Sequence, residues 1–241
     1  MQLQLQRLGF LLGETGIEKL QNAHVAVFGI GGVGSFAVEA LARSGVGKLT
    51  LIDFDTIDIT NLNRQIHALH STVGRVKAEV MAERIHAINP DIKVEVIAEM
   101  VTPDSLDRFF GASYNYVVDA IDMVSAKIAL IEKCTREGIP IISSMGTGNK
   151  LDPTQLTLTD IYKTSVCPLA RVMRHELKKR GVQALKVVYS PELPLTPSYP
   201  DAVLKTLEHS RKRPPGSTGF VPSAAGLILA SAVVRELLEI P

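Results

Sequence analysis

From His24 onward, short apolar runs rich in β-branched residues alternate with stretches whose apolar positions recur every three or four residues. The first pattern predicts buried strands and the second amphipathic helices. In order, HVAVF predicts a strand, a helix runs through Ser44, KLTLID predicts a strand, and a helix covers Lys77 to Ile88. VEVIA near Val94 predicts a third strand, followed by a helix opened by Thr102-Pro103-Asp104. The strand YVVDA, a helix from Ser125 to Glu137 and the strand PIISS complete this half, with Gly138 just past a helix end. Strand–helix alternation with right-handed crossovers implies an α/β fold, Rossmann-like, with a mainly parallel, doubly wound sheet.

After Lys150 the rhythm changes. QLTLTD and KVVYS read as strands, with a helix from about Pro168 to Arg180 between them, and Pro191 to Pro215 reads as a long mobile loop. The expectation is an ATP-binding core with an N-terminal arm over residues 1–150. A smaller C-terminal extension over 151–241 is continuous with it and faces the substrate. The apolar run Ala224 to Val234 falls short of the ~20 residues that span a bilayer and reads as a buried helix.

Charge sharpens the picture only regionally. The 241 residues sum to +1, yet residues 160 to 215 carry eleven Lys or Arg against five Asp or Glu, so the remainder sums to −5. A basic region suits a polyanionic partner, and a solvated helix face gives the same count. Two cysteines, Cys134 and Cys167, are too few for a disulfide framework or a zinc site of paired CxxC elements. With no secretory leader pattern in the first residues, a cytoplasmic location is expected.

The motif Gly29-Ile30-Gly31-Gly32-Val33-Gly34 lies between a strand and the helix FAVEALARSG. Glycines there permit a tight turn, and the helix start offers free N–H groups to a phosphate. Asp53 ends the second strand, where a carboxylate suits ribose hydroxyls; a nicotinamide dehydrogenase fits these features equally well. Asn61-Leu62-Asn63-Arg64-Gln65 and Lys77 favour a triphosphate instead, because two fixed cations can stabilise the charge on a leaving pyrophosphate. Asp119 and Asp122 end the fourth strand. Asp122 is the Mg²⁺ candidate, and Asp119 suits either the site or the cap of a turn.

The combination of GIGGVG, DFD at Asp53 to Asp55, NLNRQ, Lys77 and DAID at Asp119 to Asp122 resembles the ThiF/MoeB/HesA superfamily of adenylating enzymes. The resemblance implies that Asp53 holds ribose and that Asn61, Arg64 and Lys77 hold the phosphates of ATP. It also implies Asp55 at the nucleotide, Mg²⁺ on Asp122, and a homodimer in which Arg7 reaches the ATP of the other subunit. TNLNRQIHAL, VGRVKAEVMAERIHAINP, DPTQLTLTDIYKT, CPLARVMRHELKKRG and FVPSAAG resemble the tRNA threonylcarbamoyladenosine dehydratase group. That likeness implies ATP-dependent cyclisation of threonylcarbamoyladenosine at position 37 of tRNA, with loss of water. Arg171, Arg174, Lys178, Lys179, Arg180, Arg211, Lys212 and Arg213 are the candidate tRNA contacts.

Departures from the superfamily are also legible. Paired CxxC elements are missing, and Met123 follows Asp122 where relatives carry Asn. Cys167 before Pro168 occupies a place that can activate a thiol but reads as an ordinary one, and Cys134 reads as core. His67 and His70 read as structural rather than as acid or base. The alternative readings are adenylation of a small ubiquitin-like sulfur carrier, a nucleotide-binding scaffold without turnover, and last a nicotinamide oxidoreductase. No sulfur-relay partner is assigned.

Overall fold

The structure, a computed structural model, describes residues 2–206 and 213–241. In chain order the elements are α1 (Gln6–Gln21), β1 (His24–Phe28), α2 (Gly34–Arg43), β2 (Lys48–Ile52), α3 (Lys77–Ile88), β3 (Lys93–Ile97) and β4 (Tyr116–Asp119). There follow α4 (Val124–Glu137), β5 (Ile141–Ser144), β6 (Thr157–Asp160), α5 (Pro168–Lys179), β7 (Lys186–Tyr189), α6 (Asp201–Thr206) and α7 (Val221–Leu237). The seven strands form one sheet in the order β3-β2-β1-β4-β5-β7-β6. Every pairing is parallel except β6 with β7, so residues on both sides of Lys150 share one sheet.

Alternate residues of β1 explain its uninterrupted apolar run. Val25 and Val27 point into a core shared with α2, α3 and α7, whereas Ala26 and Phe28 point into a second one with Phe109, Leu130 and Cys134. A strand covered on both faces has no solvent side to make polar. A third cluster joins α4 and α5 to β7 through Ile131, Met173, Leu177 and Val187. Each fully buried Leu, Ile or Phe in these layers contributes about 1.5–3 kcal/mol relative to exposure.

Local signals set the ends of elements. Gly138 adopts φ 67° and terminates α4, with the Ile139 amide returning to the Cys134 carbonyl. Pro222 occupies the first turn of α7, where no intrahelical N–H is needed. Gly226 lets α7 press on α2, since a Cβ there would lie 2.2 Å from the Val33 carbonyl oxygen. The helix expected from Thr102 is instead a turn followed by a 3-10 segment, Leu106–Phe110. Thr102 and Ser105 exchange side-chain hydrogen bonds that close the turn. Phe109 and Phe110 then pack on Phe28 and anchor the end of this segment before Gly111.

The chain runs from β1 outward to β2 and β3, then returns to place β4 on the other side of β1. Such a reversal leaves a crevice at the carboxyl ends of the strands, where open α/β sheets take their ligands.

Candidate active site

A cavity of about 650 Å³ occupies this crevice. One end is lined by Gly29, Gly31, Gly32, Asp53, Asn61 and Arg64, with Gln65, Lys77 and Asp122 beside them. Phe54, Met100, Val101, Ile121 and Met123 add an apolar wall. The other end is lined by Ser144 to Gly148, Leu169, Pro214, Pro215 and Ser217.

The glycines differ in what they permit. Gly29 has φ 87°, and a Cβ there would lie 2.7 Å from the Ala120 carbonyl oxygen. A Cβ on Gly34 would lie 1.8 Å from the Gly29 carbonyl oxygen, so that position closes the turn. At Gly31 a Cβ would meet nothing nearer than Gln65 Nε2 at 4.0 Å, so its missing side chain is free cavity. The amides of Gly31, Gly32, Val33 and Gly34 have no partner among the described residues. Free donors at the start of a helix, three of them on the residues Gly31, Gly32 and Val33 that line the cavity, suit an anion such as a phosphate.

Asp53 is built into this loop. Its carboxylate accepts from the Ile30 amide at 2.6 Å and the Asp55 amide at 2.8 Å. Burial raises its pKa above the ordinary value, against the opposing pull of those amides and of Lys77. Lys77 opens α3, is buried, and places Nζ 2.7 Å from Asp55. An ammonium has three donors, so the pair leaves Lys77 capacity for a second anion. Asn61 accepts from the Asp58 amide through Oδ1 in a capping box, which leaves its Nδ2 as a donor. Arg64 donates through Nη1 to the Thr60 carbonyl and Asn63 Oδ1, both at 2.9 Å. Its Nε and Nη2 have no partner among the described residues.

The two carboxylates at the end of β4 and just beyond it separate. Asp119 turns inward and holds Lys127 at 2.8 Å, both side chains fully buried, and also accepts from Ser143 Oγ at 2.6 Å and from the Ile121 amide. Asp122 is exposed on the cavity wall. No group of three or more His, Cys, Asp or Glu is placed to hold a metal among the described residues. The donor set therefore fits a magnesium ion only as one carboxylate, Asp122, completed by phosphate oxygens and water.

Other sequence candidates fall elsewhere. Arg7 is exposed on α1 and does not line the cavity of its own chain. Arg171 and Lys178 are exposed on α5. Arg174 instead donates to the Thr164 carbonyl, and Lys179 pairs with Glu176. Arg180 pairs with Glu176 and with Glu132 on α4, so the five cations do not share one free face. Arg213 lies over the Tyr199 ring at 5.6 Å, and Arg211 and Lys212 lie outside the described residues. His67 is 2% exposed with neither ring nitrogen partnered, and burial first, then Lys77 and Arg84, lowers its pKa to about 4. His70 is exposed. Cys134 lies in the core, where burial raises its thiol to about 12, and Cys167 is buried at the N-cap of α5.

Sequence reasoning passed over the apolar wall and Gln65, which is 6% exposed with Oε1 unpartnered. It also passed over the far end of the cavity, where the amides of Gly146, Thr147 and Gly148 have no partner among the described residues. The available signal was the pair of glycines directly after a strand, Gly146-Thr147-Gly148, in the place that GIGGVG holds after β1.

The sequence profile of the ThiF family matches residues 2–240. The chain belongs to the ThiF family. It is 45% identical over 243 residues to the tRNA threonylcarbamoyladenosine dehydratase of Bacillus subtilis (strain 168), covering 98% of this chain and 95% of that one. The crystal structure of E. coli tRNA N6-threonylcarbamoyladenosine dehydratase, TcdA, in complex with ATP superposes with a TM-score of 0.87. That pair is 40% identical, with 98% of this chain and 94% of the other covered. The molybdopterin-synthase adenylyltransferase of Salmonella typhimurium is 38% identical over 128 residues, only 53% of this ThiF-family chain. The likeness to dehydratases thus spans both ends of the cavity, and the likeness to the adenylyltransferase spans about half the chain.

Proposed function

We propose that this ThiF-family protein is an ATP-dependent tRNA threonylcarbamoyladenosine dehydratase. It activates the threonyl carboxylate of the modified adenosine at position 37 and lets a ring close with net loss of water. The observation that carries the reading is the extent of the likeness: 45% identity to a dehydratase across 98% of the chain. Adenylation of a sulfur carrier is the weaker reading, because the likeness to that class stops at 53% and paired CxxC elements are missing.

The geometry supports the chemistry. A carboxylate is a poor electrophile until one oxygen becomes a leaving group, and ATP supplies that leaving group. The free amides of Gly31, Gly32 and Val33 face the phosphates, while Asp53 accepts from ribose hydroxyls. Arg64, Lys77 and the Asn61 amide stabilise the negative charge that grows on the departing phosphates. Asp122 is the residue that would hold Mg²⁺, which would supply further positive charge at the phosphates. At the far end, which we term the acyl end, the amides of Gly146, Thr147 and Gly148 are suited to the carboxylate and to the oxyanion formed on attack. Ring closure is intramolecular, so the enzyme need supply no covalent nucleophile. Buried Cys167 accords with that.

The working unit is a homodimer in which Arg7 reaches the nucleotide of the other subunit. Arg171 and Lys178, with Arg213, contact tRNA phosphates. Among the described residues no helix is long and apolar enough to cross a membrane, and a cytoplasmic location suits a tRNA substrate. No sulfur-relay partner is assigned.

The test is incubation of the purified protein with ATP, Mg²⁺ and tRNA bearing threonylcarbamoyladenosine, followed by mass analysis under conditions that preserve the cyclic nucleoside. Loss of one water that requires ATP and vanishes in Arg64→Ala and Asp122→Ala supports the assignment. An unchanged nucleoside beside continued ATP–pyrophosphate exchange transfers it to another carboxylate.

A further inference from the structure

The two ends of the cavity meet at a single side chain. Asn63 uses both halves of its amide: Oδ1 accepts from Arg64 Nη1 at 2.9 Å, and Nδ2 donates to the Ser217 carbonyl at 3.0 Å. Ser217, with Pro214 and Pro215, walls the acyl end. Asn149, in the left-handed region at φ 60° in the loop after β5, fixes the same wall from the other side. Its amide donates to the Gly216 carbonyl at 2.8 Å, and its Oδ1 accepts from the Gly216 amide at 2.6 Å. Packing leaves little slack, since a Cβ on Gly219 would lie 2.8 Å from the Asn63 carbonyl oxygen and one on Gly148 would lie 2.9 Å from Pro215. The wall is therefore held by Asn149 in the loop after β5 and, through Asn63, by Arg64, with a further hydrogen bond from the Tyr199 hydroxyl to the Pro214 carbonyl at 2.8 Å.

Arg64 has the geometry to pass a signal across. Nη1 faces Asn63 and Thr60, while Nε and Nη2 are free on a side chain that lines the cavity. A guanidinium is a rigid planar fork, so an anion gripped by one edge immobilises the other. We propose that Asn63 is a positioning residue that couples nucleotide occupancy, through Arg64, to the Pro214–Ser217 wall of the acyl end. A bound phosphate then orders the Arg64–Asn63–Ser217 chain and sets the wall against which the second substrate lies. The identity of that substrate as a tRNA-borne carboxylate rests on the function proposed above. The coupling itself does not.

Hydrogen–deuterium exchange of the full chain, with and without ATP and Mg²⁺, reads the coupling directly. Pro214 and Pro215 carry no amide hydrogens, so a peptide over 213–219 reports chiefly on Gly216 to Gly219. Wild type should exchange there about threefold or more slowly with nucleotide. Asn63→Ala should lose that response while its ATP affinity stays within about threefold. Asn63→Asp keeps an acceptor for Arg64 but has no donor for Ser217, and should behave like the alanine variant at the wall and like wild type toward ATP. In the dehydration assay both variants should raise KM for tRNA about five- to tenfold, the effect of one lost hydrogen bond, with KM for ATP little changed. Nucleotide protection that persists in Asn63→Ala, or is missing from wild type, overturns the proposal, as does an equal loss of ATP and tRNA binding in both variants. If wild type leaves the tRNA unmodified, the substrate assignment fails while the exchange comparison still decides the coupling.

Discussion

Removing the charge of Lys127 should cost far more stability than its distance from the cavity suggests. Lys127 Nζ and Asp119 Oδ2 lie 2.8 Å apart with both side chains fully buried, so Lys127→Met leaves a carboxylate in the core without its counter-charge. Breaking a buried pair from one side costs about 3–5 kcal/mol. Ser143 Oγ and the Ile121 amide still donate to Asp119, which places the expected loss near the lower end of that range. Against a total stability of roughly 5–15 kcal/mol this is a large fraction. The assay is urea unfolding of wild type, Lys127→Met, Asp119→Asn and the double variant, with the slopes compared to confirm an unchanged denatured state. The double variant should recover much of the loss, giving a coupling of about 2–3 kcal/mol. A loss under about 1 kcal/mol in Lys127→Met, or strict additivity of the two substitutions, would show that the pair is not what secures the strand end beside Asp122.

The remaining expectations concern the loop, a buried histidine and the basic helix. Gly34→Ala should prevent the turn from closing and lower the melting temperature. Gly31→Ala should fold normally and weaken ATP binding by calorimetry, because its Cβ enters open cavity. His67 is held to a pKa of about 4 when folded, against 6.5 unfolded, so the folded state binds fewer protons between those values. Its contribution is fully present above pH ~6.5 and is lost as pH falls towards 4, by about 3 kcal/mol, and His67→Leu should flatten that part of the stability profile. Arg171→Ala and Lys178→Ala should each lower the salt slope of tRNA binding by about 1, whereas Arg180→Ala, which removes an intramolecular pair, should leave it unchanged.

What could be read in advance was whatever depends on residues close in sequence. HVAVF followed by GIGGVG fixes strand, turn and helix within a dozen positions, because glycine spacing and apolar continuity are local. The bounds of α3 agree with the expectation at both ends, and Gly138 ends α4 as expected. The segment after Thr102 was misread because the Phe109 and Phe110 contacts with Phe28 span about eighty positions. The two aspartates around the end of β4 look alike in sequence; only the arrival of Lys127 and Ser143 turns one inward and leaves the other in the cavity. For the same reason spacing along α5 suggested a shared basic face, while Thr164, Glu132 and Glu176 occupy three of its cations. The acyl end is assembled from three separated segments, of which only Gly146-Thr147-Gly148 carries a local signal.

The position of α7 bears on how the molecule is made. This helix packs on α2, β4, β5 and β7, and its residues Ala225, Leu229 and Val233 share a core with Val25, Val27 and Val118. A ribosome from which everything up to Thr206 has emerged has thus released all seven strands but not the helix that, beside α2 and α3, completes the cover of one face. Until the final stretch emerges, that face is a sticky, chaperone-accessible surface. A message cut short before residue 221 would yield a product marked for degradation rather than a partly active enzyme.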